Sequence, residues 1–264
     1  MTQKLLMACM FGGIAMGQTP ASKDPVVKDS VVNPVVKDNG PGPLPSFFVA
    51  PSGKPLPKLS NGKPDLSGMW SGASLNMNRA KLEAAPYKPE FIAKVQELAK
   101  DNAADPGVNC FLLGTPRVTS YPFPFKIVQS PKETIILYEA MRTFRDIMTD
   151  GRSHSPDPDN TFMGESLGHW EGDTLVVDTI GFNDKTWLIG RGTFHSEDLH
   201  VVERYTATAD GRIRYEAVAE DAKVFTRPWK VFDGMLNVAA GPDTISEYEC
   251  IEGNRDLEHL FKAK

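Results

Sequence analysis

The sequence predicts a mostly β fold, arranged as an antiparallel up-and-down barrel with one peripheral helix. From Pro122 onward, short runs of alternating apolar and polar residues are separated by turn residues, as in strands. Glycine-containing turns at 170–173 and 209–212 each join two such runs, which makes successive strands antiparallel neighbours. Because an open sheet of this length would leave exposed edges, we expect a closed, lipocalin-like or calycin-like barrel, with a β-sandwich as the alternative.

The individual elements follow from local patterns. The segment 61–70 is expected to be a turn that delivers the first strand, with Trp70 as an anchor in the core. Further strands are expected near 125–129, 134–140, 143–149, 164–170, 173–180, 198–208, 211–219, 228–238 and 244–251. The helix is predicted over 89–101, because Phe91, Val95 and Leu98 recur at helical spacing among Ala, Lys and Glu.

The N-terminus is typical of a cleavable secretory signal peptide over residues 1–17. Lys4 precedes an apolar stretch from Leu5 to Met16, and Ala15-Met16-Gly17 offers a small-x-small cleavage site. The stretch is shorter than the roughly 20 residues that a membrane-spanning helix needs. We therefore expect an exported protein, periplasmic or extracellular, without a membrane span. Lipoprotein anchoring at Cys9 is the alternative, disfavoured because it would leave only a short apolar region.

A Pro-rich flexible tether is predicted over 18–58, followed by a single β-rich domain over 59–264. The tether contains Pro-Val-Val-Lys-Asp twice, at 25–29 and at 34–38. Two short copies cannot bury a core, and the prolines favour extended backbone.

Cysteine usage agrees with export. Loss of the signal peptide removes Cys9 and leaves the pair Cys110 and Cys250. An even count in an exported protein favours a disulfide, with two unrelated buried thiols as the alternative.

Charge and motif content exclude several functions. The net charge is −5, without a run of Lys or Arg, so neither nucleic acid nor anionic lipid is an expected partner. The sequence also lacks a phosphate-binding loop, a dinucleotide fingerprint and a GxSxG nucleophile motif. We expect no cofactor, and the oligomeric state is left open.

Two carboxylates fall on apolar faces of predicted strands. Asp178 shares a face with Val176 and Ile180, and Glu203 shares one with Val201 and Tyr205. A buried carboxylate must be paired, protonated or functional, because burying it bare costs several kcal/mol. Within a barrel such groups can orient a ligand. The structural alternative is that Glu203 pairs with an arginine of another strand, Arg145 or Arg214.

The predicted loop after the strand ending near residue 180 is dense in polar and aromatic residues. His195 is the candidate general acid/base, since imidazole titrates near neutrality. Asp184 is a candidate partner, Asn183 a binding residue and Trp187 a pocket wall. The alternative is that Asn183 and Asp184 cap a turn and that His195 is a solvated loop residue.

His154 is a further catalytic candidate, since it lies beside a rigid acidic loop, Pro156-Asp157-Pro158-Asp159. With His195, His200 and nearby carboxylates it could approach a metal in space. No HxH or HExxH spacing is present, so no metal site is predicted.

As a set, several motifs resemble those of a group of exported bacterial proteins of unassigned function. They are Gly62–Trp70, Cys110-x-x-x-Gly114-x-Pro-Arg117, Phe125–Gln129, Asp150-Gly-Arg152, Trp170–Thr179 with Gly181-Phe-Asn-Asp184, and Thr226-Arg-Pro-Trp229. The resemblance runs from about residue 60 to the end and implies export and a single domain, but no activity. His169 departs from it, where arginine is expected.

Three hypotheses of function follow. The first is a cofactor-independent lyase, isomerase or hydrolase acting on a small, partly apolar organic molecule. His195, Asp184, Glu203 and His154 would be catalytic, and Trp187, Tyr138, Arg145, Asp178 and Asn183 would bind substrate. The second is a non-catalytic binding or carrier protein of the cell envelope. The third is a structural or interaction module.

Overall fold

Nine strands close into a barrel in this computed structural model of the protein, which describes residues 52–72, 75, 84–240 and 244–250. In chain order they are β1 (Gly68–Ser71), β2 (Phe125–Ser130), β3 (Glu133–Tyr138), β4 (Thr143–Met148), β5 (Glu165–Glu171), β6 (Thr174–Ile180), β7 (His200–Ala207), β8 (Ile213–Glu220) and β9 (Trp229–Val238). Helix α1 covers Pro89–Leu98, three residues shorter than predicted. The predicted barrel is confirmed. The predicted signal peptide, and the tether as far as residue 51, lie outside the described residues.

One strand pair departs from the predicted up-and-down order. A closed barrel with an odd number of strands cannot alternate in direction all the way round, so at least one neighbouring pair must be parallel. That pair is β4 and β5, which share only two register positions, Ile147 with Ser166 and Met148 with Leu167. The remaining pairs are antiparallel, including the closing pair of β1 and β9. The connection over 149–164 carries the chain back along the barrel. We call the short junction between β4 and β5 in the barrel wall the seam.

Alternation along each strand divides the side chains between lumen and surface. On β7, Val201, Glu203 and Tyr205 are almost fully buried, whereas the residues between them are only half-buried. The lumen is filled by such inward side chains. Among the largest are Phe125, Ile136, Arg145, Ile147, Tyr205 and Tyr215, none more than 3% exposed.

The two ends of the barrel are built differently. Tight turns lie at one end, and the long connections 181–199 and 221–228 lie at the other. Helix α1 packs over the long connections, with the ring of Phe91 5.7 Å from that of Phe194. Gly192 allows this approach: its φ is +74°, and a Cβ there would lie 2.7 Å from the carbonyl oxygen of Val95. The long-connection end is therefore closed by an apolar cap.

The Cys110–Cys250 disulfide predicted from the sequence is present and spans 140 residues. Residues 244–250, predicted as part of a last strand, form no strand in the described chain. Side chains hold this segment instead. Arg142 pairs with Glu249, and the ring of Tyr248 lies 4.7 Å from that of Phe123. The strand prediction was wrong here because local alternation also occurs in an extended segment that has no partner strand.

Candidate functional site

The two strongest ionic candidates from the sequence, Glu203 and Arg145, form one buried pair inside the barrel. Nη2 of Arg145 lies 2.7 Å from Oε2 of Glu203, and both side chains are at most 1% exposed. Arg145 is on β4 and Glu203 on β7, so the pair crosses the lumen. The structure thus has the pairing that the sequence offered as the structural alternative for Glu203.

Two tyrosines complete the surroundings of Glu203. The hydroxyls of Tyr205 and Tyr215 donate hydrogen bonds to its Oε1 at 3.0 and 2.7 Å. Burial, followed by the nearby Glu203 charge, raises the pKa of both tyrosines well above the ordinary value of 10. They are therefore neutral donors at physiological pH. The carboxylate is held by one cation and two hydroxyl groups.

Arg145 also ties the seam between β4 and β5. Its Nη2 donates to Ser166 Oγ on β5 at 2.9 Å and to Thr179 Oγ1 on β6 at 3.1 Å. Burial opposes its charge, but Glu203 more than offsets this and raises the pKa of Arg145 well above its ordinary value. One guanidinium therefore links four strands where the backbone ladder is shortest.

Tyr138, predicted to line a pocket, lies in the same filled lumen. Its hydroxyl is 3.1 Å from Thr119 Oγ1, and burial raises its pKa above 10. The structure brings Tyr138, Arg145 and Glu203 together, but as packed interior residues. In this arrangement their chemistry is structural: a buried charge pair in which Nη2 of Arg145 bonds protein groups, while its Nε and Nη1 have no hydrogen-bond partner among the described residues.

His195 is buried in the apolar cap, 3% exposed. Its Nδ1 lies 2.9 Å from the carbonyl oxygen of Ser196, which can only accept, so Nδ1 carries the proton. Nε2 lies 2.7 Å from Thr186 Oγ1 and accepts from that hydroxyl. Burial is the main cause that lowers the pKa of His195 below 6.5. This is a neutral histidine with both nitrogens occupied, and neither bond goes to a carboxylate.

The other residues predicted around His195 are dispersed. Asp184 is exposed at the surface. Asn183 is buried, and its Oδ1 accepts from the backbone N–H of Lys185 at 3.1 Å, which is a turn-capping bond. Trp187 is 6% exposed and forms a bridge with Phe194. In the described structure these residues shape a loop and none of them hydrogen-bonds His195; Asp184 acts on it only through its charge.

His154 and Asp178, from separate predictions, meet on the outer wall of the barrel. Nε2 of His154 is 2.9 Å from Oδ1 of Asp178, and its Nδ1 is 2.9 Å from Oε2 of Glu165. The other oxygen of Asp178 is 2.8 Å from Nε2 of His200. Nδ1 of His200 is 3.6 Å from Glu220. We call these five residues the histidine–carboxylate chain; it crosses β5, β6, β7 and β8.

The two histidines of this chain differ in what they can do. Both nitrogens of His154 face carboxylates at hydrogen-bond distance, so His154 fastens the 149–164 connection to the wall. His200 is bonded tightly only through Nε2, and its side chain is 33% exposed. Its Nδ1 is the nitrogen available for proton transfer. Glu220 also lines a pocket of about 390 Å³ beside the 221–228 connection.

No three metal-ligating side chains converge on a cation site within the described part of the chain. The histidine–carboxylate chain is joined by direct hydrogen bonds and leaves no shared centre for an ion.

A second pocket, the wall opening, lies at the seam between β4 and β5. It has a volume of about 320 Å³. Its apolar lining comes from Phe144, Met148, Met163 and Leu167. Its charged rim comes from Asp146, Arg152 and Glu165. Phe144 is 64% exposed, the highest value among the large apolar residues described.

Gly164 explains why the wall opens here. Its φ is +70°, and a Cβ would lie 2.7 Å from the carbonyl oxygen of Ile180. The chain turns away from β4 at this point, so the two strands separate. The opening was not predicted from the sequence. The available signals were the Gly164 corner and the long connection before it, neither of which shows where that connection runs.

The chain matches no protein-family model, no curated protein and no solved structure. Within the residues described, no helix has the length and apolar character to cross a membrane.

We predict that Glu203→Gln lowers the free energy of unfolding by about 3–5 kcal/mol, because it leaves Arg145 buried without a counter-charge. Equilibrium urea unfolding measures the change. Arg214→Met is the control, since Arg214 pairs with Asp233 at the half-exposed surface and its loss should cost at most about 1 kcal/mol. Equal effects of the two variants would contradict the role given to the lumen pair.

We predict that His195 makes the folded protein less stable as pH falls. Its pKa is lowered in the folded state, so the unfolded chain binds the proton first. The contribution of the buried neutral imidazole to the free energy of unfolding is therefore complete above the ordinary histidine pKa of about 6.5, and it is lost as pH falls below that pKa. His195→Gln should lose less stability than the wild type between about pH 7.5 and pH 5.5.

Urea unfolding at both pH values tests this, with His169→Gln as the control, because His169 is 61% exposed. His169→Gln should keep the wild-type pH dependence. If His195→Gln also keeps it, His195 is not the buried neutral group described.

Proposed function

We propose that this protein is exported and binds a small, partly apolar organic molecule in the wall opening. The observation that carries the proposal is the combination of an exposed aromatic side chain, Phe144, with a concave, partly charged lining. Ligand pockets are mostly apolar and contain a few polar groups that orient the ligand. The filled lumen argues for this outer site, since Arg145 and Glu203 occupy the space that a lipocalin would offer to its ligand.

Export is supported by two independent features. The N-terminal sequence has the pattern of a signal peptide, and the Cys110–Cys250 disulfide suits an oxidising compartment. The resemblance to exported bacterial proteins points the same way. Native mass spectrometry of protein purified from its own host should find a retained organic ligand.

The binding proposal predicts that Phe144→Ser weakens binding of 8-anilinonaphthalene-1-sulfonate, a small molecule with apolar rings and one charge. Loss of the ring contact should raise the Kd on the order of tenfold, as measured by fluorescence titration. Ile92→Ser is the control, because Ile92 is also an exposed large apolar residue, 41% exposed, but lies on helix α1 and does not line the opening. Unchanged binding in Phe144→Ser, or equal loss in both variants, would contradict the proposal.

Acid–base catalysis at His200 is the second candidate function. Asp178 orients Nε2 of His200, and the exposed Nδ1 faces Glu220 at the edge of the 390 Å³ pocket. A carboxylate that orients an imidazole is the arrangement used in general base catalysis. This candidate keeps the histidine and carboxylate chemistry expected from the sequence but assigns it to a different histidine.

If His200 is a general base, His200→Gln should lower the hydrolysis rate of p-nitrophenyl acetate, above the buffer background, by about a hundredfold. Asp178→Asn should lower it as well, since the imidazole loses its orienting acceptor. His169→Gln controls for the ordinary reactivity of a surface histidine with this ester. A wild-type rate equal to that of His200→Gln would exclude the catalytic candidate.

A further inference from the structure

The charged and hydroxyl side chains around the wall opening are already engaged by other protein groups. Arg152 donates to the carboxylate of Asp150 through Nε and Nη2, at 2.7–3.1 Å. Glu165 contacts His154 and accepts from the backbone N–H of Ser155. Ligand recognition by these groups would require breaking bonds that the fold already makes.

The same holds for the inner side of the opening. Ser166 Oγ accepts from Nη2 of Arg145. Arg145 lines the opening, and its Nε and Nη1 have no hydrogen-bond partner among the described residues, but both atoms are fully buried, so a ligand reaches them only if the wall moves. The polar recognition groups must therefore be sought elsewhere than in Arg145, Ser166, Arg152 or Glu165.

The backbone edge of β4 provides them. Only the last two residues of β4 pair with β5, so the stretch from Thr143 to Asp146 has no strand partner on that side. In the described part of the chain, no backbone hydrogen bond joins this stretch to residues 162–164 across the opening. An unpaired strand edge presents N–H and C=O groups at the spacing of an extended chain.

The side chains along this edge add a pattern. Phe144 and Asp146 point to the outer face, while Arg145 between them points to the lumen. Asp146 is exposed and makes no hydrogen bond or ion pair among the described residues, and the nearby Arg152, which acts on it only at longer range, is bonded to Asp150. An added strand would therefore meet an aromatic surface, a closed inner wall and a free carboxylate, in that order.

From this we infer that the ligand of the wall opening is an extended peptide segment that adds to the free edge of β4. The inference rests on the proposed function, because it names the chemical class that the same opening binds. The matching peptide has an apolar, a small and a basic residue in succession. It lies parallel to β4, on the line from which the chain turns away at Gly164, just before β5. Main-chain hydrogen bonds give affinity in this mode of recognition, and alternate side chains give specificity.

The dimensions suit a short segment. At sheet spacings of about 4.8 Å between strands, about 10 Å between sheets and about 3.3 Å per residue, a volume of about 320 Å³ holds roughly two residues. The opening is continuous with solvent, so further residues can extend outward along the wall.

The test is an NMR titration of the ¹⁵N-labelled mature protein with acetyl-Val-Ala-Lys-amide and with the same peptide N-methylated at every backbone nitrogen. The unmodified peptide should shift the amide signals of Phe144 and Asp146, and N-methylation should weaken binding by about tenfold or more, because it removes the peptide donors. Asp146→Asn should weaken binding of this peptide but not of acetyl-Val-Ala-Gln-amide.

Three results would overturn the peptide inference: equal binding of the N-methylated peptide, signal changes confined to other surfaces, or no binding at millimolar peptide. If 8-anilinonaphthalene-1-sulfonate still depends on Phe144 in that case, the opening binds small molecules and only the peptide class is wrong. If the dye does not depend on Phe144 either, the proposed function fails as well.

Discussion

The ion pair between Arg145 and Glu203 is the interaction on which the rest of this structure depends. A buried charge is tolerated only when it is paired and hydrogen-bonded, and here the pair receives two tyrosine hydroxyls on the carboxylate side. Arg145 also bonds Ser166 and Thr179, across the seam where β4 and β5 share only two register positions. Side-chain bonds thus replace part of the missing backbone ladder.

Two consequences follow for function. These groups pack into the lumen, and the two pockets discussed above for the described residues, beside the 221–228 connection and at the wall opening, are both lined from outside it. Because the seam is closed from within by Arg145, its outer side can remain open without unravelling the barrel. The wall opening and the free edge of β4 result from the same odd strand count that requires one parallel pair.

Much of the fold could be predicted from the sequence. Period-two alternation located β2 to β9 closely, and the glycine turns after β5 and β7 gave the correct hairpins. Alternation also showed that Glu203 needed a partner and offered Arg145 as one. It could not show which face of a strand points inward. On β6 both faces are apolar enough for burial, and the face with Asp178 proved to be the outer one.

The candidate site was harder to predict, because it depends on contacts between residues distant in sequence. Asp178 and His200 lie on the neighbouring strands β6 and β7, but His154 joins them only because the 149–164 connection crosses the outer wall beside them. His195 was chosen for the composition of its loop, but composition does not distinguish an exposed imidazole from one buried within the 181–199 connection. The predicted strand over 244–251 shows the related limit that extended residues need a partner strand to join a sheet.

If the lumen is packed and ligands bind on the outer wall, a bound dye should lie outside the barrel. A crystal structure of the protein soaked with 8-anilinonaphthalene-1-sulfonate decides this. We expect dye against Phe144 in the wall opening, with the Arg145–Glu203 contact unchanged. Dye inside the barrel, with Arg145 separated from Glu203, would contradict that expectation.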